Sequence, residues 1–221
     1  MTPVTPSSSL RDKILAEAAA TKSRTRSEGR RRAVVVYTVA ALGGLPLFFY
    51  WGGFGHAAGR PISLTIGLAA GALLVATSAA SVAWWRGKSQ VGRSQNALLV
   101  IAILVPIATY VWMVSWHGRY AEPFERVGYR CFAMTIASGS PLLFAALWLR
   151  KRTIAVHPVA GGAALGAAAG AFGGITVDLW CPLTNSAHVL VGHVMPIVLL
   201  AFVGMIAGRF VLAIRPMFGR R

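Results

Sequence analysis

Long apolar stretches alternate with short polar connectors along the chain. Six of the stretches reach the roughly 20 residues that a helix needs to cross about 30 Å of hydrocarbon. The pattern predicts spans over Ala33 to Trp51, Ile62 to Trp85, Ala97 to Trp116, Cys131 to Leu149, Val159 to Trp180 and His193 to Ile214. The connectors are too short to fold by themselves. The predicted fold class is an all-α membrane protein, a six-transmembrane-helix bundle over residues 33–214. A tail, residues 1–32, precedes it, and a short basic tail, residues 215–221, follows. The first apolar run comes after a long tail and lacks a small-x-small cleavage step, so a cleaved leader is not expected.

Composition excludes a soluble alternative. Of the 221 residues, 56% are hydrophobic and 13% charged, with mean hydropathy +0.61; soluble domains carry roughly twice that share of charge. The formal charge of +16 is placed unevenly. Arg11, Lys13, Lys22, Arg24, Arg26, Arg30, Arg31 and Arg32 in the tail share one predicted side with Arg86, Lys88, Arg93, Arg150, Lys151, Arg152, Arg209, Arg215, Arg220 and Arg221. The other side has Arg60, Arg119, Arg126 and Arg130 alone. The positive-inside rule then puts both termini in the cytoplasm. Trp51, Trp84, Trp85, Trp116 and Trp180 fall at span ends, as an interfacial belt requires. The basic tail lacks interleaved aromatics and any nucleic-acid motif, so its expected electrostatic partner is a bilayer with anionic headgroups rather than DNA or RNA.

Chemistry-bearing residues are scarce within the spans. Asp178 is the one acid there, about two residues from the outer end of the fifth span, where water or headgroups are within reach. Zincin, nucleophile-elbow and paired-aspartate patterns are absent, and no enzyme is expected. Gly162, Gly166, Gly170 and Gly174 recur at four-residue intervals, and Gly204 with Gly208 repeats the step in the sixth span. Such ladders let helices approach closely, either within one chain or in a homodimer. Cys131 and Cys181 fall at the same outer edge, either as a disulfide or redox pair or as two unlinked thiols. Asp178, Cys181, His188 and His193 are the residues that a metal would use. Because His188 and His193 are five apart and do not share a face of a regular helix, no metal or other cofactor is expected.

In the tail, Ser9 and Asp12 fit a capping box, and Leu10, Ile14, Leu15 and Ala18 form an apolar stripe flanked by Arg11 and Lys13. A helix of about three turns is too short to be stable alone. It needs a surface, either the bilayer or a groove in a cytoplasmic partner.

These residues together resemble the NrsF-type membrane anti-sigma factors of bacteria. The likeness lies in the Leu-Arg-x-x-Ile-Leu start of the tail (Leu10 to Leu15) and the six spans, with Cys131 and Pro141 in the fourth. It continues through Leu149-Arg150-Lys151, His157-Pro158 before the Gly/Ala-rich span, Cys181-Pro182 after it, and Gly208-Arg209. Two departures stand out: Leu183 follows Cys-Pro where an acid is common, and Gly192-His193 opens the sixth span where aromatics are frequent. The resemblance implies a non-enzymatic device in the bacterial inner membrane. Residues Leu10, Arg11, Lys13, Ile14, Leu15 and Ala18 would hold an extracytoplasmic-function sigma factor and release it on a signal. Length and the Arg-rich tail further resemble regulators of light-induced carotenoid synthesis within that group. The competing readings are a small transporter or channel and a metal- or haem-binding membrane sensor.

Overall fold

The computed structural model describes residues 26–51, 53, 60–84, 94–120, 122, 126–151 and 155–213, together with Asp12 and Ala16 of the tail. The chain divides into two units, Met1–Val35 and Val36–Arg221. The tail residues Leu10, Arg11, Lys13, Ile14, Leu15 and Ala18, and the basic end 215–221, lie outside the described residues. All regular structure among the described residues is helical: α1 Arg26–Leu42, α2 Leu45–Tyr50, α3 Ile62–Trp84, α4 Gln95–Val114, α5 Tyr129–Arg150, α6 Pro158–Trp180 and α7 Ser186–Val211.

Five of these, α3 to α7, are long and apolar enough to cross a membrane, not six. The predicted first span is broken. Arg30, Arg31 and Arg32 occupy the first half of α1, so its apolar part, Ala33 to Leu42, rises only about 15 Å, half a hydrocarbon core. Gly43 and Gly44 then form a turn, closed by the Gly43 N–H donating to the Val39 carbonyl at 3.0 Å. Pro46 stands in the first turn of α2, the helical position where its missing N–H costs least. The predicted sixth span also starts late: Asn185 caps α7 by accepting from the His188 N–H at 2.9 Å, eight residues before His193.

Within α3 to α7 the most Gly- and Ala-rich helix is the central one. Of its membrane-crossing window 72% is buried, against 28% for α3 and α4. Small side chains account for this, since they let several neighbours approach one axis and gain dispersion contact. A Cβ on Gly162 would run into the Gly204 carbonyl, one on Gly166 into the Leu200 carbonyl, and one on Gly170 to 2.9 Å from Ile197 Cα. Gly208 meets the Pro158 carbonyl in the same way. The glycine face of α6 is thus filled by α7 of the same chain. Gly174 departs from the ladder, with nothing within 4 Å of an added Cβ. Its neighbour Gly173 instead faces α5, against Thr135 O and Gly139. The outward faces carry exposed Val100, Ile103, Leu104, Val198, Phe202 and Phe210, as lipid-facing surfaces should.

Candidate functional site

At one end of the bundle the start of α5, the end of α6 and the start of α7 converge, and each delivers groups that the apolar interior otherwise lacks. Cys131 lies in the first turn of α5, Cys181 caps the end of α6, and His188 and His193 come from α7. All four are buried, and one donor atom from each lies within 4.8 Å of the others. Both cysteines are free thiols. Asp178 joins from the last turn of α6. It is 2% exposed, so it does not reach water as its place in the sequence suggests.

The five-residue spacing of His188 and His193, which counts against a shared site in a regular helix, is overcome by a π turn over Leu190–Val194. The Met195 N–H donates to the Leu190 carbonyl, five residues back, and the widened turn brings the two imidazole centroids to 5.6 Å. Pro196 gives a local reason for the turn. It has no N–H to offer the Gly192 carbonyl, and its ring crowds that carbonyl in a regular helix. Gly192 permits the approach of α5, because a Cβ there would be 3.0 Å from both the Cys131 Cβ and the Gly128 carbonyl.

The His188 tautomer follows from its partners. Nδ1 lies 2.8 Å from the Arg126 carbonyl, which only accepts, so Nδ1 carries the proton. The lone pair of Nε2 then faces Cys181 Sγ at 3.1 Å and Cys131 Sγ at 3.5 Å, and it accepts an S–H from either. His193 Nδ1 stands at ion-pair distance, 3.0 Å, from Asp178 Oδ1, but the two are not aligned as a hydrogen bond, and both ring nitrogens of His193 and Asp178 Oδ1 are buried without a hydrogen-bond partner. A cavity of about 480 Å³ reaches Cys131, Cys181 and His188 between Arg126, Tyr129 and Leu183.

Connecting segments strap this end together, and sequence reasoning passed over the residues that do it. Arg60, read only as one of four outer charges, is 7% exposed. It donates to the Cys181 carbonyl at 2.6 Å and the Asp178 carbonyl at 2.7 Å, satisfying the end of α6. The Tyr120 hydroxyl donates to the Pro182 carbonyl, and Trp180 Nε1 to the Trp51 carbonyl at 2.6 Å. Glu122 Oε1 accepts from the Thr184 N–H at 2.8 Å and its hydroxyl at 2.7 Å, and Oε2 from Asn185 at 3.2 Å. The available signal was scarcity: the chain has six acids, and Glu122 and Glu125 are the two in this connector.

Burial pushes the Glu122 carboxyl up, but the Thr184 hydroxyl and N–H, Asn185 and His117 together hold it below the usual carboxylate range. A group depressed in the folded state stabilises above its unfolded pKa and loses that contribution as pH falls through the folded one. Glu122→Gln is therefore expected to lower the melting temperature at pH 7 by about 2–4 °C, for a loss of about 1 kcal/mol. The difference from wild type should vanish as the pH drops well below about 4. Thermal melts in detergent at both pH values check it.

Over residues 15–213 the chain matches the family described as negative regulator of sigma F, and it belongs to that family. No curated protein and no solved structure matches it.

Proposed function

We propose that this member of a family of negative regulators of sigma F is an anti-sigma factor of the bacterial cytoplasmic membrane. Its tail holds an extracytoplasmic-function sigma factor, and the cysteine–histidine cluster governs release. The charge bias supports a topology with both termini in the cytoplasm and the cluster on the opposite side, in which α1 and α2 would carry the chain across between them. The tail stripe of Leu10, Ile14, Leu15 and Ala18 supplies the helix-in-groove contact, with Arg11 and Lys13 at its rim.

One observation carries the assignment of the cluster as the sensing centre. Two thiols and two imidazoles converge within 4.8 Å, buried in a bundle that is otherwise nearly bare of ionisable groups. Buried polar groups in a membrane are expensive, and they mark function by default. Two thiols and two imidazoles are the donor set of soft or borderline d10 cations, and the His188 Nε2–sulfur distances of 3.1 and 3.5 Å suit it. A tetrahedral centre with bonds of about 2.0–2.3 Å spaces its donors by roughly 3.5 Å. Such a cation would cross-link α5, α6 and α7, whereas oxidation to a Cys131–Cys181 disulfide would tie only two of them. The cluster thus favours a chemical signal. Release by light, with carotenoid genes as targets, is supported only by the likeness in length and tail.

The detergent-solubilised chain is expected to co-purify with the sigma factor encoded beside it. A folded chain that elutes without that sigma factor contradicts the reading. With Cys131→Ser/Cys181→Ser, a sigma-dependent reporter is expected to stay at one level whether or not the inducing chemical is present. An unchanged response would remove the cluster from the signal path.

A further inference from the structure

We propose that Asp178 is the positioning residue that makes His193 the fourth donor of a closed site for a divalent d10 cation, with the π turn of α7 as its structural condition. This rests on the reading of the cluster as a cation site and gives a part to Asp178, which that reading leaves without a role.

His193 has two ring nitrogens and two distinct surroundings. Nδ1 stands 3.0 Å from Asp178 Oδ1. The residue is 1% exposed, and neither ring nitrogen makes a hydrogen bond within the protein, so Nε2 is left with no polar partner at all and Nδ1 with the carboxylate at ion-pair distance alone. A buried imidazole nitrogen left without a partner forfeits its hydration with nothing in return, so its persistence beside two thiols and a second imidazole points to a ligand. An imidazole whose other nitrogen is held by a carboxylate is fixed in orientation and made more basic, the usual outer arrangement of a metal-binding histidine. His188 has the equivalent support from the Arg126 carbonyl at 2.8 Å. His188 thus has an oxygen behind it and the sulfurs in front, and His193 has the Asp178 carboxylate beside Nδ1 and a donor atom within 4.8 Å of both sulfurs.

The π turn is what lets one helix provide both. In a regular helix, residues five apart point well over a quarter-turn away from each other. Here the rings sit 5.6 Å apart because the Leu190–Val194 turn is wide.

Charge selects the valence. Binding releases the two thiol protons and leaves two thiolates beside the Asp178 carboxylate. The guanidinium of Arg60 is held by the carbonyls of residues 178 and 181. A dication closes this buried group at zero net charge, whereas a monovalent cation leaves one negative charge uncompensated in a low-dielectric setting. Four protein donors complete a tetrahedron and leave no open position, the pattern of structural rather than catalytic sites.

The test uses Co2+ as a spectroscopic probe on the purified, detergent-solubilised full chain. The wild type is expected to bind one Co2+ with thiolate charge-transfer bands and the intense visible bands of tetrahedral coordination. Asp178→Asn should bind about 10–100-fold more weakly yet reach the wild-type bands at saturation, because the donors are unchanged. His193→Ala should keep the thiolate bands but show altered visible bands even when saturated. Wild-type affinity in Asp178→Asn overturns the positioning role. If that variant fails to fold, His193→Ala decides, and wild-type bands at saturation overturn the proposal. Failure of the wild type to bind Co2+ instead removes the cation reading of the cluster, and this inference with it.

Discussion

Gly166→Leu is expected to abolish the folded bundle or cost more than about 3 kcal/mol, while Gly174→Ala, eight residues along the same sequence ladder, is expected to be neutral or slightly stabilising. The difference lies in what each position faces. The missing side chain of Gly166 is what brings α6 onto the backbone of α7, and an added Cβ there would enter the Leu200 carbonyl. The obstacle is main chain, so no rotamer change relieves it, and the two helices must separate along their whole interface. Overpacking commonly costs 1–3 kcal/mol where side chains can adjust; here they cannot. At Gly174 nothing lies within 4 Å, and alanine removes backbone freedom from the unfolded chain at no steric cost. Thermal melts of the two variants in one detergent, read by helix content, separate these outcomes. Equal destabilisation would show that the ladder does not pack as described.

Much of the bundle is legible in the sequence because lipid imposes one simple rule, an unbroken apolar run of helical length. That rule finds α3 to α7 within a few residues, except for the early start of α7. It fails at the first stretch because hydropathy averages over Gly43, Gly44 and Pro46, which act on the backbone and not on the average. Four-residue periodicity finds Gly162, Gly166 and Gly170 but also takes in Gly174, since a straight helix drifts from a strict four-residue repeat and rotates the last step off the contact.

The candidate site was legible only in its parts. Cys131 and Cys181 stand out as the two cysteines at matching depth. His188 and His193 look incompatible until Pro196 is read with them: a proline three residues after the second histidine blocks the regular bond to Gly192, and the wide turn that results realigns the pair. Arg60, Glu122 and the Arg126 carbonyl carry no local signal for the site, because the partners that tie them to the ends of α6 and α7 lie 62 or more positions away in the chain.

The second large effect concerns the tail. Leu10, Ile14 and Leu15 lie on one face of the predicted helix, and buried apolar anchors of this kind dominate helix-in-groove binding. Replacing all three by aspartate removes the anchors and places charge in the groove. At about 2 kcal/mol or more for each of the stronger anchors, binding should fall by more than about 100-fold. The bundle should be untouched, because the substitutions fall outside α1 to α7. Arg11 and Lys13 remain, so any residual binding reports the electrostatic share alone.

The same variant tests the central claim, that the chain holds a sigma factor by its tail. Wild-type and Leu10→Asp/Ile14→Asp/Leu15→Asp chains would be immobilised in detergent and titrated with the sigma factor encoded beside them. The account predicts saturable binding to the wild type and a loss of more than about 100-fold in the variant, with unchanged melting of both bundles. Equal affinity of the two chains would contradict it.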